Sequence, residues 1–127
     1  MIAKNNAIHI KSYAFAIRIV NAYKFLAESE KKFVLSKQLL RSGTAIGALV
    51  AEAHHAQSGA DFLNKMNVAL KEANETSYWL SLLKDTHYMN EIVYQSISSD
   101  CNELVALLVC IVKSCLLYTS PSPRDCS

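Results

Sequence analysis

Glu52 and His55 stand three residues apart in this sequence. On a helix that spacing puts a carboxylate and an imidazole on one face, as in the Glu-x-x-His unit of di-iron bundles. Such a site needs the unit twice, plus two further glutamates. Glu72 and Glu75 offer carboxylates, but neither is followed by histidine three residues on. No metal site and no cofactor is therefore expected. His54 and His55 fit better as the last turn of a helix, where partial positive charge suits the helix dipole. Neither Cys101 nor Cys110 has a histidine nearby in sequence, and no serine sits at a strand-to-helix elbow. Gly43 and Gly47 are not followed by Lys and Ser/Thr in phosphate-loop register. No catalytic residue is proposed, and the chain is expected not to be an enzyme.

Two charge patterns remain. Arg41 lies inside a helical pattern. With an antiparallel turn near Ser58, positions whose numbers sum to about 116 face each other. Arg41 then faces Glu75, one turn from Glu72. An inter-helix ion pair that fixes register is the expectation, ahead of a guanidinium–carboxylate ligand site. The second pattern is basic: Lys31, Lys32, Lys37 and Arg41 on one helix, with Arg18 and Lys24 on its neighbour. In one subunit this is an ordinary solvated face. In a ring it would repeat, and repetition multiplies weak phosphate contacts with RNA or DNA. Net charge is only +2, so no global basic field demands nucleic acid.

The elements that would carry these residues are helices. Both prolines lie at the far C-terminus, which leaves the rest of the chain free of helix breakers. The pattern predicts an all-α, antiparallel, up-down-up-down four-helix bundle, with helices at about 11–27, 31–56, 59–84 and 91–113. Residues 1–10 read as a weak prelude. On the first helix Phe15, Ile19, Ala22 and Leu26 form one apolar face. Ser29 can cap the second helix. Ser58, with Asp61 three residues later, is a capping signal for the third. There Phe62, Met66, Ala69, Ala73, Thr76, Leu80 and Leu83 keep a seven-residue repeat. Asn90 can cap the fourth, whose stripe is Val93, Ile97, Cys101, Leu104, Leu108 and Ile111.

The second helix contains LLRSGTAIGALVAEA, residues 39–53. Each mid-helix glycine costs about 0.5–1 kcal/mol relative to alanine. Close helix packing is the reason to expect them. Gly43 and Gly47 should make a groove that receives the small centre of the third helix, Ala69 and Ala73. Beyond Glu103 the fourth helix is apolar all round, LVALLVCIV. A helix without a polar face must be covered on several sides. A subunit interface is expected there, not a membrane contact, because no basic polar face accompanies it. That run is far short of the roughly 20 residues that span a bilayer, and no secretory signal is visible, so the expected location is cytoplasmic. Trp79 and Tyr78 read as packing or interface residues.

Composition breaks at Ser114. Cys115 to Asp125, CLLYTSPSPRD, resembles an in-frame translation of a transposon-end sequencing adapter. Residues 1–114 are expected to form a single domain, and residues 115–127 to be adapter-derived and not native.

The segments SYAFAIRIV, VLSKQLLRSGTAIGALVAEA and ADFLNKMNVALKEANETSYWLSLL resemble the bacterial four-helix-bundle proteins associated with intervening sequences in 23S ribosomal RNA genes. The resemblance covers nearly all of 11–113. It implies the bundle fold and, as in members that form rings, a homopentamer. A related group serves diversity-generating retroelements as an accessory protein that binds nucleic acid and a reverse transcriptase. Here AEAHHAQSGADF carries no added basic cluster at the end of the second helix. The expected role is a non-enzymatic oligomeric assembly or accessory factor that engages RNA, DNA or a nucleoprotein. The alternative is a protein-interaction module of a mobile-element or defence system, without direct nucleic-acid contact.

Overall fold

The computed structural model describes residues 2–28 and 30–116, without the side chains of 2–5 and 30–32. Ser29 and residues 117–127 fall outside it. The described chain is four helices: α1 (Ile2–Leu26), α2 (Glu30–His54), α3 (Gly59–Asp85) and α4 (Glu91–Leu116). Each packs against its two neighbours around a square. The topology is up-down-up-down.

Side-chain caps set the turns. Ser58 Oγ accepts from Asp61 N at 3.1 Å, and Asp61 Oδ2 accepts from Gln57 N at 3.3 Å. Asn90 Oδ1 accepts from Val93 N at 2.8 Å. Between α3 and α4, His87 takes a left-handed conformation with φ 65°. That reversal lets Tyr88 N and Met89 N both donate to Leu83 O, satisfying a carbonyl that the helix end would otherwise leave open. Met89 then folds in and is buried.

The core follows the heptad of α3: Phe62, Met66, Ala69, Ala73, Thr76, Leu80 and Leu83 are all buried. Each large aliphatic chain buried there contributes about 1.5–3 kcal/mol from solvent transfer. Thr76 keeps its hydroxyl satisfied inside the core. Its single proton goes either to Glu72 O at 2.7 Å or to Ser42 Oγ at 3.0 Å. Cys101 Sγ donates to Ala73 O at 3.4 Å, and burial pushes this thiol up to about 11. Cys101 is therefore a protonated core residue at neutral pH.

The structure corrects several expectations. Residues 2–10 are helix, not a prelude, and Ile8 is fully buried. Val93 is 40% exposed and stands outside the α4 stripe. The helix α4 runs to Leu116, and Cys115 packs in the core one turn beyond Ile111. The helical spacing of apolar residues simply continues there.

The glycines face α1, not α3. A Cβ added at Gly43 would lie 2.8 Å from Ile19 Cγ1, and one at Gly47 would lie 3.2 Å from the Ser12 carbonyl oxygen. Ala69 and Ala73 are buried on α3, but α1 occupies the groove.

The apolar run of α4, where a subunit interface is expected, is already partly covered within one copy. Leu104, Leu108, Ile111 and Val112 are buried, Val105, Leu107, Val109 and Cys110 are half-buried, and only Ala106 in that run is exposed. Flanking α1 and α3 cover the helix from both sides.

Candidate interaction surfaces

Arg41 stands level with α3 because the turn at 55–58 is short. Its guanidinium donates to Glu72 Oε1 at 3.3 Å and also to Glu75 Oε2, while its Nε reaches Gln38 Oε1 at 3.5 Å. Glu75 Oε2 also accepts from the Trp79 indole at 3.0 Å, and Tyr78 stacks edge-on to Trp79 at 5.0 Å. The indole hydrogen bond first, and the guanidinium second, hold the Glu75 carboxyl below the usual glutamate range. The hydrogen bond to Glu75 raises Arg41 in turn.

The Arg41 and Glu75 side chains are 49% and 39% exposed. Water therefore solvates either partner when the other is removed, and the large penalty of an orphaned buried charge does not apply. Glu75→Gln should lower stability at neutral pH by only about 0.5–1 kcal/mol. The lowered carboxyl gives the pH sign. Its contribution is complete above the ordinary glutamate range and disappears as pH falls through the lowered value. Urea unfolding of both proteins from neutral to acid pH should show that gap closing. A gap that persists in acid would rule out the charge as its source.

Among the described residues, the basic positions do not form one free face. Arg18 is clasped by α4: Nη1 meets Asp100 Oδ2 at 2.5 Å and Ser96 O at 3.3 Å, and Nη2 meets Ser96 Oγ at 2.9 Å. Lys11 adds a second α1–α4 pair with Glu103 at 3.0 Å. Arg41 is held by α3. Lys24 and Lys37 are exposed, with Lys37 Nζ 5.8 Å above the Phe33 ring. The side chains of Lys31 and Lys32 lie outside the described residues. Arg18 and Arg41 thus serve helix seams, a use that their spacing in sequence does not distinguish from a phosphate-binding stripe.

The Glu52–His55 unit does not assemble either. Glu52 Oε1 turns across to Lys65 Nζ on α3 at 3.5 Å. Among the described residues, no three His, Cys, Asp or Glu side chains are grouped to hold a metal ion. No described helix is long and apolar enough to cross a membrane.

Sequence reasoning missed an exposed apolar surface on α1. On α1, Ile10, Tyr13 and Ile17 are 70%, 69% and 49% exposed. With half-buried Val20 they form a second stripe at steps of three and four, opposite the buried one. The signal was present as a second 3.6-residue periodicity on a helix without a single acidic residue. A separate cleft of about 400 Å³ opens between α1 and α4, lined by Phe25, Leu26, Tyr88, Met89, Val93 and Ile97 among others.

The family follows from comparison with known proteins. The sequence model of the 23S rRNA-intervening sequence protein family matches residues 4–110. The chain belongs to this family. It is also similar to a solved member of the S23 ribosomal protein family from Bacteroides thetaiotaomicron, a protein of unknown function. The two share 57% identity with a TM-score of 0.84, over 87% of this chain and 98% of that one. No curated protein matches. The family match and the solved relative agree with the four-helix fold, and neither description names a reaction.

Proposed function

We propose that this protein is a non-enzymatic, self-assembling helical bundle that acts in the cytoplasm as an assembly or accessory factor for a nucleic acid or nucleoprotein. The observation that carries the reading is the exposed stripe Ile10, Tyr13 and Ile17 on α1. Its one ring and two branched chains face water at a helical spacing that a second helix could cover. A ring of copies, the pentamer that the family resemblance implies, would bury that stripe and repeat Lys37 around its axis, with Lys24 at the rim of the interface, one turn beyond Val20. Repetition is what would turn such scattered lysines into a usable phosphate-binding surface. Arg18 and Arg41 support the bundle itself in this reading.

The test joins mass in solution to binding of labelled RNA and DNA over a salt series. The full chain is expected to run as an oligomer, and Ile17→Asp to shift it to monomer with its helicity intact. Nucleic-acid affinity should fall steeply with added salt and tolerate changes of sequence, with a slope of about 0.7–0.9 log unit per phosphate contacted. A monomeric wild-type chain would overturn the assembly reading. An oligomer that binds neither nucleic acid at low salt would leave the protein-interaction module, without nucleic-acid contact, in its place.

A further inference from the structure

Three histidines gather where α1 begins and α2 stops. The ring centroids of His9 and His54 are 5.5 Å apart with their planes at 71°. Those of His54 and His55 are 5.1 Å apart at 85°. All three are exposed, and no hydrogen bond or ion pair within the described residues engages their rings. The helix dipole explains His54 and His55 at the end of α2, but it does not explain His9, which arrives from the neighbouring helix.

The separation has a chemical meaning. A metal ion sits about 2.0–2.1 Å from a histidine nitrogen, so it lies about 3.2 Å from the ring centroid. Two imidazoles sharing a tetrahedral ion then have centroids about 5.2 Å apart. Both ring pairs stand near that distance, but successive residues of one helix do not face each other, so the pair able to share an ion is His9 and His54, on two helices held close at Gly43 and Gly47. Both are exposed, so turning their side chains to point one nitrogen each at a common ion meets little resistance.

We propose that His9 and His54 form a two-histidine clip for a divalent late first-row ion (the class that imidazole favours, such as Ni²⁺, Zn²⁺ or Cu²⁺), with water completing the coordination. Because no third His, Cys, Asp or Glu among the described residues completes a cage, the affinity is modest and the ion exchanges with solvent. The clip ties the first half of α1 to the end of α2. It does not depend on self-assembly or on nucleic-acid binding.

The probe is NiCl₂ added to the full, untagged chain after treatment with chelator. An ion that binds only the folded state raises Tm in proportion to ln(1 + [L]/Kd). Tm is expected to rise by about 3 °C or more at about 1 mM Ni²⁺ and to return with EDTA. Calorimetry should give one ion per chain. His9→Asn and His54→Asn should each abolish the shift, while His55→Asn and His87→Asn retain it. An unchanged Tm, or a shift that survives His9→Asn, overturns the clip. Loss of the shift in His55→Asn would overturn the assignment to this pair.

Discussion

Gly43→Val is expected to lower the free energy of unfolding by about 3 kcal/mol. The added Cβ alone would lie 2.8 and 2.9 Å from Ile19 Cγ1 and Cγ2, and 3.2 Å from Cδ1. Ile19 is fully buried, so it cannot swing into solvent to make room. Valine improves helix propensity over glycine by only a few tenths of a kcal/mol, about a tenth of the overpacking cost. A double-mutant cycle isolates the contact. Ile19→Ala alone should cost about 2–4 kcal/mol through the cavity it leaves. In the Gly43→Val, Ile19→Ala double variant the valine methyls enter that cavity, so the combined loss should fall short of the sum by about 1 kcal/mol or more. Urea unfolding of the four proteins measures it. Strict additivity would mean that Gly43 does not receive Ile19, and the close α1–α2 approach would need another cause.

Ile8→Ala carries the second large effect. Ile8 is fully buried, six residues from the start of α1. Truncating a buried isoleucine costs about 2–4 kcal/mol, whereas a residue in a fraying helix end would cost only about 0.5 kcal/mol. Denaturant unfolding of Ile8→Ala separates these. A loss in the lower range would show that the first turns of α1 hang free of the core.

That first segment shows what the sequence lacks. Asn5 and Asn6 are weak helix formers, and no cap precedes them. Local propensity therefore argues for a later start. Ile8 continues the spacing of Ser12, Phe15 and Ile19, and tertiary burial decides the matter. The heptad of α3 was easier to read because its apolar positions never break step and both its ends carry turn signals. The glycine groove was visible as a groove, but not by its occupant. Ser42 and Ile46 face α3, while Gly43 and Gly47, about 100° further round the helix, face α1. Choosing between two neighbouring helices one residue apart needs the helices in place. For the basic residues the difficulty is different. The spacing of Arg18 and Arg41 is the same whether each meets a phosphate or a carboxylate, and only the fold brings Asp100, Glu72 and Glu75 beside them.

The seam between α1 and α4 joins the two ends of the described chain. Arg18 and Asp100 are 82 positions apart, against 31 for Arg41 and Glu72 in the α2–α3 hairpin. For flexible chains, closing the longer loop costs only about 0.9 kcal/mol more. Burying a single leucine offsets that difference. Chain entropy therefore does little to separate the first helix from the last. If this seam is the softer one, the reason is local: ion pairs between half-exposed side chains, and a cleft beside Phe25 where tighter packing would otherwise be.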